Sequence, residues 1–214
     1  GFAISGRSSN KGTDDKILDL TKENYFIGQE SGSSVTTGLF NSFIGFRAGK
    51  FVTEGDENVF LGYKSGYNVE VADYNVFIGS KSGFSNSGSG GEAGDYNNFI
   101  GYESGYNNTT GSHNSFFGYK AGYNNNASSN IFIGHEAGYS NVSGNGNTFI
   151  GYKSGSDMEG YGNTFVGYSS GWIQSSGNYN SYFGDQAGHQ QSSGSYNCYF
   201  GYKTARNNGS GQYN

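Results

Sequence analysis

The sequence predicts an all-β protein: a parallel β-solenoid of the β-roll kind, with about eleven coils of 17 residues. Two observations carry this. A five-residue word, Asn-x-Phe-Ile-Gly as in Asn41-Ser42-Phe43-Ile44-Gly45, recurs eleven times with small variations. Its closing glycines, from Gly28, Gly45 and Gly62 through to Gly201, follow one another at 17 residues, except for two steps of 16 and one of 22. A fixed short period is the mark of stacked coils, each one supersecondary unit. The 214 residues contain no proline, which suits a backbone whose amides are engaged in ladders.

Each coil is numbered from its Asn. Position three is aromatic every time, from Phe26 and Phe43 to Tyr182 and Tyr199, and forms the core ladder. Position four is apolar every time, from Ile27 and Ile44 to Phe183 and Phe200. Neighbours in a strand point to opposite faces, so the two ladders cannot share one narrow interior. A strand apolar on both faces normally lies between two packed layers, so a second layer, most simply another chain, is expected over position four. Of the 39 glycines, 21 fall at positions five and nine, where turns or close approach between coils are expected. The repeated Asn, from Asn24 to Asn197, is read as structural: stacked amides bond up the ladder and cap the preceding loop.

In chain order, residues 1–23 precede the repeat as an N-terminal cap or connector, since an open solenoid end is a bare sheet edge. Within them Asp14 to Glu23 fits a short helix or an extra strand; otherwise almost no helix is expected. Residues 24–205 form the repeat domain. The fourth coil carries five extra residues in a Ser/Gly-rich loop, Ser85 to Tyr96, expected to be ejected at the surface. Loops such as Asn107-Asn108-Thr109-Thr110 and Asn124-Asn125-Asn126 are read as turns with exposed hydrogen-bonding groups. The ninth-position glycine is lost at Thr204-Ala205-Arg206, so residues 206–214 are taken as a C-terminal cap or the start of a further unit.

A hydrophobic content of 33% alone would point to disorder, but the apolar residues are held in two registers, which overrules it. The net charge of −5 and the lack of a Lys/Arg cluster along the chain argue against nucleic acid as a partner. No stretch reads as a membrane span or a signal peptide. Cys198, at variable position two, stands where other coils have Ser or Thr, and no redox role follows. His113, His135 and His189 occupy three different repeat positions, and no catalytic motif spacing occurs. The acidic groups Glu54/Asp56/Glu57, Glu92/Asp95 and Asp157/Glu159 read as solvated loops rather than calcium sites, since no Gly-Gly-x-Gly-x-Asp nonapeptide repeats. No metal, cofactor or enzymatic activity is expected.

Two further columns are aromatic. Position six holds Tyr63, Tyr102, Tyr119, Tyr152, Tyr168 and Tyr202, with Phe46 and His135 among the exceptions. Position ten holds Tyr67, Phe84, Tyr106, Tyr123, Tyr139 and Trp172. Such rings either pack coil on coil or grip a partner, since an aromatic with a polar tip binds at low entropy cost. Trp172, the only tryptophan, with Tyr67, Tyr106, Tyr123 and Tyr139, forms the candidate ligand-binding set.

The Asn-x-Phe-Ile-Gly-x-x-Ser/Ala-Gly unit resembles the Ser-Val-Ala-Ile-Gly repeats in the heads of trimeric autotransporter adhesins, and related repeats of bacteriophage tail fibres, over residues 24 to 205. Phe43-Ile44-Gly45 aligns with Ala-Ile-Gly; the unit here is longer and its Ala becomes Phe or Tyr, which requires a wider coil. The resemblance implies three chains around one axis and a role in adhesion. The expectation is an extracellular homotrimeric fibre or adhesin head, at a cell surface or in a virion fibre. It is non-enzymatic and meets a cell-surface glycan or protein receptor, a glycan being the favoured class; the alternative is a passive shaft. Eleven coils at ~4.8 Å predict a rod of roughly 50 Å.

Overall fold

The computed structural model describes residues 2–5, 16–88, 93–173, 175–191 and 193–207. It is an all-β solenoid with no helix among these residues. Two strands, β1 (Phe2–Ser5) and β2 (Lys16–Leu20), pair antiparallel with each other, and β2 pairs antiparallel with β3 (Tyr25–Ile27). Lys16–Leu20 is therefore a strand, and it covers the edge of the first coil. Ten three-residue strands follow in parallel: β4 (Ser42–Ile44), β5 (Val59–Leu61), β6 (Val76–Ile78), β7 (Asn98–Ile100), β8 (Ser115–Phe117), β9 (Ile131–Ile133), β10 (Thr148–Ile150), β11 (Thr164–Val166), β12 (Ser181–Phe183) and β13 (Cys198–Phe200). Each pairs with the next in sequence, aromatic opposite aromatic, so register is set by the repeat itself.

Position three points inward in every coil. The eleven rings from Phe26 to Tyr199 form one stack, with centroids 4.5–5.0 Å apart and planes within 18° of parallel. Burying one such side chain contributes about 1.5–3 kcal/mol, with stacking adding about 0.5–1.5 kcal/mol per contact. Glycine at position nine makes room for the ring: a Cβ on Gly49 would come within 2.5 Å of Phe43 Cδ2. Where Tyr182 replaces Phe, its buried hydroxyl donates to Gln191 Oε1 at 2.8 Å, so the polar atom that the substitution brings in is satisfied in its own coil.

The interior also holds position twelve, which changes character along the rod. Val35, Val52 and Val69 give way to Asn86, Asn108, Asn125 and Asn141, then to Met158. The asparagines bond side chain to side chain, Asn86 to Asn108 at 3.1 Å, Asn108 to Asn125 at 3.3 Å and Asn125 to Asn141 at 2.9 Å. Asn108 and Asn125 are thus buried core residues, not the exposed turn residues expected from their Asn-rich surroundings. Loop composition is a weaker guide than register here, because position twelve faces inward in every coil where it is described.

The repeated Asn does what stacking predicts. Its Oδ1 accepts the backbone N–H of the Asn one coil on, as Asn41 Oδ1 does from Asn58 N at 3.0 Å and Asn114 Oδ1 from Asn130 N at 2.9 Å. In most coils its Nδ2 also donates to the loop carbonyl that closes the coil, for example Asn41 to Gly55 O and Asn114 to Ala127 O, both at 2.8 Å. Both ends of the buried amide are then engaged. Two residues before each Asn runs a parallel external ladder. Asp56, Asp73 and Asp95 accept the N–H of Leu39, Asp56 and Asp73 at 2.7–2.8 Å, and Asn145 and Asn178 do the same later. Aspartates that the linear sequence scatters among loops therefore share one column. The fourth-coil loop expected to be ejected lies partly outside the described residues; Asn86, Gly88, Asp95 and the repeated Asn97 around it are buried.

Position four faces outward as a continuous apolar ladder, about two-fifths exposed at Ile27, Ile44, Leu61 and Ile133. Cys198 lies exposed on the same outer strand face, in register with Ser181.

Candidate aromatic and cationic face

After each strand the chain turns through positions five to eleven, and this corner carries most of the exposed chemistry. Position seven adopts the left-handed conformation in every coil, with φ between 51° and 57° for residues that are never glycine. It carries Glu30, Arg47, Lys64, Lys81, Glu103, Lys120, Glu136, Lys153, Ser169, Gln186 and Lys203. Reading along the chain finds no basic cluster; folding lines up six cations in one column, because 17 residues separate neighbours in space. The glutamates among them pair with adjacent coils. Glu30 meets Arg47 at 2.8 Å and also Lys50; Glu103 lies between Lys81 at 3.2 Å and Lys120 at 3.6 Å; Glu136 meets Lys153 at 3.3 Å. Hydrogen bonds from Arg47 and Lys50 hold the Glu30 carboxyl below its ordinary value. Burial pushes Glu103 upward, but bonds from Tyr102 and Lys81 with the charges of Lys81 and Lys120 outweigh it and leave it lowered.

The position-six and position-ten rings flank this charged column. Four of the five candidate ligand residues belong to one stack: Tyr67, Phe84, Tyr106, Tyr123 and Tyr139 follow one another at 4.8–5.1 Å with planes within 10°. Most ring faces are thus spent on each other, leaving edges and hydroxyls outward. Trp172 stands apart, because Ser156 interrupts the column at the coil between. Lys153 Nζ sits 4.9 Å from the Trp172 ring, and His189 meets the indole edge-on at 5.2 Å. Lysines bridge the two columns: Lys64 lies 5.5 Å from Tyr63 and 5.0 Å from Tyr67, Lys120 5.4 Å from Tyr119 and 5.2 Å from Tyr123. Each such contact is worth about 0.5–1 kcal/mol where exposed, and it pins the lysine stem along apolar ring surface.

A third exposed ring column, the residue just before each Asn, escapes the sequence reading. It includes Tyr74, Tyr96 and His113, stacked at 4.8 and 4.9 Å, and Tyr179 with Tyr196 at 5.4 Å. The signal is present in the recurrence of Tyr-Asn at 74, 96, 179 and 196. It also explains the histidines. His113 substitutes for a ring in this column, His135 stacks between Tyr119 and Tyr152 in the position-six column, and His189 takes the position-ten place beside Trp172. Their different repeat positions are three ring columns, each with one imidazole. Burial lowers the pKa of His189, with the Arg206 charge adding to it, and its Nδ1 has no hydrogen-bond partner.

No group of three or more His, Cys, Asp or Glu able to hold a metal occurs among the described residues, and no helix there is long and apolar enough to cross a membrane. A cavity of about 430 Å³ opens on the first coil, lined by Phe26, Ser31, Val35 and Gly38, and meets the corner at Glu30 to Ser33, where positions six and ten carry no ring. No family model, curated protein or solved structure matches the chain.

Proposed function

We propose that the chain is a non-enzymatic segment of an extracellular fibre or adhesin head, at a cell surface or in a virion fibre, that binds a cell-surface glycan along its aromatic and cationic face. The observation that carries it is the pairing of an exposed ring column at position six with a half-buried one at position ten, with lysines held between them. Ring faces left open where a column breaks suit sugar C–H groups, and the ammonium, amide and phenol groups beside them suit hydroxyls or acidic substituents. The resemblance to trimeric autotransporter adhesin heads and phage tail fibres supports the same reading. The outward position-four ladder, unbroken over eleven coils, is the surface through which three copies pack about one axis, since a row of half-exposed Ile and Phe this long is stabilised by a covering layer. No nucleic acid and no membrane insertion enter this reading.

A passive shaft is the second reading, favoured by the face-to-face stacking that occupies most of the rings. Glycan-array binding separates the two when Trp172→Ala is run beside the unaltered chain. Trp172 has no stacked neighbour, so its loss should reduce glycan signal at least about fivefold with the fold intact. A chain that binds no glycan at all leaves the shaft. Light scattering on a sizing column tests assembly, with three times 22.8 kDa expected; a stable monomer refutes the trimer.

A further inference from the structure

The position-six column, which begins at Phe46, is broken twice, at Ser80 and at Asp185, and Ser80 is the uncharged break. Phe46 and Tyr63 stack at 5.6 Å below the gap, and Tyr102 and Tyr119 stack at 5.4 Å above it. Between them the fourth coil places Ser80. The backbone continues through it undisturbed: Lys81 N donates to Tyr63 O at 2.8 Å and Glu103 N to Ser80 O at 3.0 Å, the same bonds that Lys64 and Lys120 make to Phe46 O and Tyr102 O. Only the side chain is short. Two exposed tyrosine rings therefore face each other across twice the coil rise, roughly 10 Å, which is two ring-to-ring contacts and leaves room for one ring.

The other breaks differ in chemistry: at Ser156, in the position-ten column, the Lys153 ammonium lies over Trp172, and at Asp185 the side chain is an anionic carboxylate. At Ser80 the neighbouring lysine is drawn aside, since Lys81 pairs with Glu103 at 3.2 Å and lies 5.9 Å from Tyr106 in the other column.

We propose that the gap over Ser80 is a subsite for one pyranose with equatorial hydroxyls, inserted flat between Tyr63 and Tyr102; this rests on the glycan reading above. The chemistry follows from the two walls. A ring clasped on both faces must be apolar on both, and an all-equatorial pyranose meets that condition, presenting axial C–H bonds above and below and its hydroxyls around the rim. There Ser80, Lys64 and the Lys81–Glu103 pair are the nearby polar groups. A sugar with an axial hydroxyl puts an unpaired polar group against a tyrosine face.

The test is calorimetric titration with cellotetraose, whose residues are all-equatorial, and with β-1,4-mannotetraose, whose residues carry an axial hydroxyl. Cellotetraose should bind at least about tenfold more tightly. Ser80→Tyr rebuilds the ring that six other coils carry at this position, and should abolish cellotetraose binding while leaving the thermal unfolding midpoint unchanged or raised. Tyr102→Ala removes an exposed wall and should weaken binding about tenfold or more. Unchanged binding in both variants overturns the subsite while leaving the glycan reading standing elsewhere on the face. Equal binding of the two tetrasaccharides also overturns it. Failure of both sugars and of the wider glycan array removes subsite and glycan reading together. Binding of N-acetyl-tyrosinamide in place of either sugar overturns the subsite in favour of a protein partner's aromatic side chain.

Discussion

Replacing Asn114 by Ala removes one rung of the internal amide ladder, and the structure gives its cost by counting what is left behind. Asn114 Oδ1 accepts the N–H of Asn130 at 2.9 Å and Asn114 Nδ2 donates to Ala127 O at 2.8 Å, all within the buried interior. Alanine orphans both backbone groups where water cannot reach. Each costs about 1–3 kcal/mol, so the change should destabilise by about 2–6 kcal/mol. Asn130 provides a comparison inside the same ladder. Its Oδ1 accepts the N–H of Asn147 at 2.8 Å, but its Nδ2 has no partner. Asn130→Ala therefore orphans one backbone group and also discards a buried donor that was already unpaired. It should cost about 1–3 kcal/mol less than Asn114→Ala. Asn124, which accepts from Asn107 at the exposed rim at 2.8 Å, should lose no more than about 0.5 kcal/mol on change to Ala. Urea unfolding followed by circular dichroism reads all three. Equal costs at Asn114 and Asn130, or a cost at Asn124 matching Asn114, would refute the claim that this amide is held for its two buried hydrogen bonds.

Two further perturbations test other columns. Asp73 has its pKa raised by burial, with the charge of Asp56 adding to it and the Asp56 N–H partly offsetting it. The folded chain thus holds this proton more tightly than the unfolded one, so the ionised carboxylate works against folding at neutral pH, and that penalty fades as pH falls through the raised value. Asp73→Asn keeps the acceptor, as Asn145 and Asn178 do in later coils, and should stabilise by a few tenths to about 1 kcal/mol at pH 7; the gain should vanish on titration below about pH 4, and a gain independent of pH would contradict the assignment. Gly45→Ala places a Cβ 2.7 Å from the carbonyl carbon of Gly62 at a φ of +141°, and should cost about 3 kcal/mol or more by forcing two coils apart. Gly146→Ala, at φ +67° with nothing within 4 Å, should cost only about 1–2 kcal/mol, and thermal unfolding that fails to separate the two would show that coil contact is not what fixes glycine at position five.

The fold was legible because it is written many times over. Phe or Tyr at position three and the Asn at position one recur in every coil, so a single register predicts core, turn and rung together. What stayed hidden lies in positions where residue type varies but direction does not. Position twelve holds Val, Asn, Met and Gln, and its inward orientation cannot be seen from composition; Asn108 and Asn125 look like turn formers until the coil turns them inside. The cationic column is invisible for the opposite reason, since Arg47, Lys64 and Lys81 are far apart in sequence and adjacent only across coils. The candidate ligand set was found by type and spacing, yet sequence could not show that Tyr67, Tyr106, Tyr123 and Tyr139 spend their faces on one another while Trp172 does not.

In such a rod the repeated residues cannot distinguish one place from another. The Asn rungs and the phenylalanine stack are buried and out of a ligand's reach, and an outer column identical at every coil would offer only a ladder of equivalent weak sites. Preference for one place has to come from departures: Ser80 and Ser156 where rings are missing, Trp172 where a larger ring is added, the imidazoles of His113 and His135 within stacks of phenols, and His189 edge-on to Trp172. These departures cost the scaffold little, because even a missing ring removes at most two contacts of about 0.5–1.5 kcal/mol each from an outer column while the buried stack and both hydrogen-bond ladders run on. A surface column can therefore change coil by coil without endangering the fold, which the core column cannot. Under the proposed glycan reading, that asymmetry makes Ser80 and Trp172 the positions where substitution should alter binding while leaving stability almost untouched.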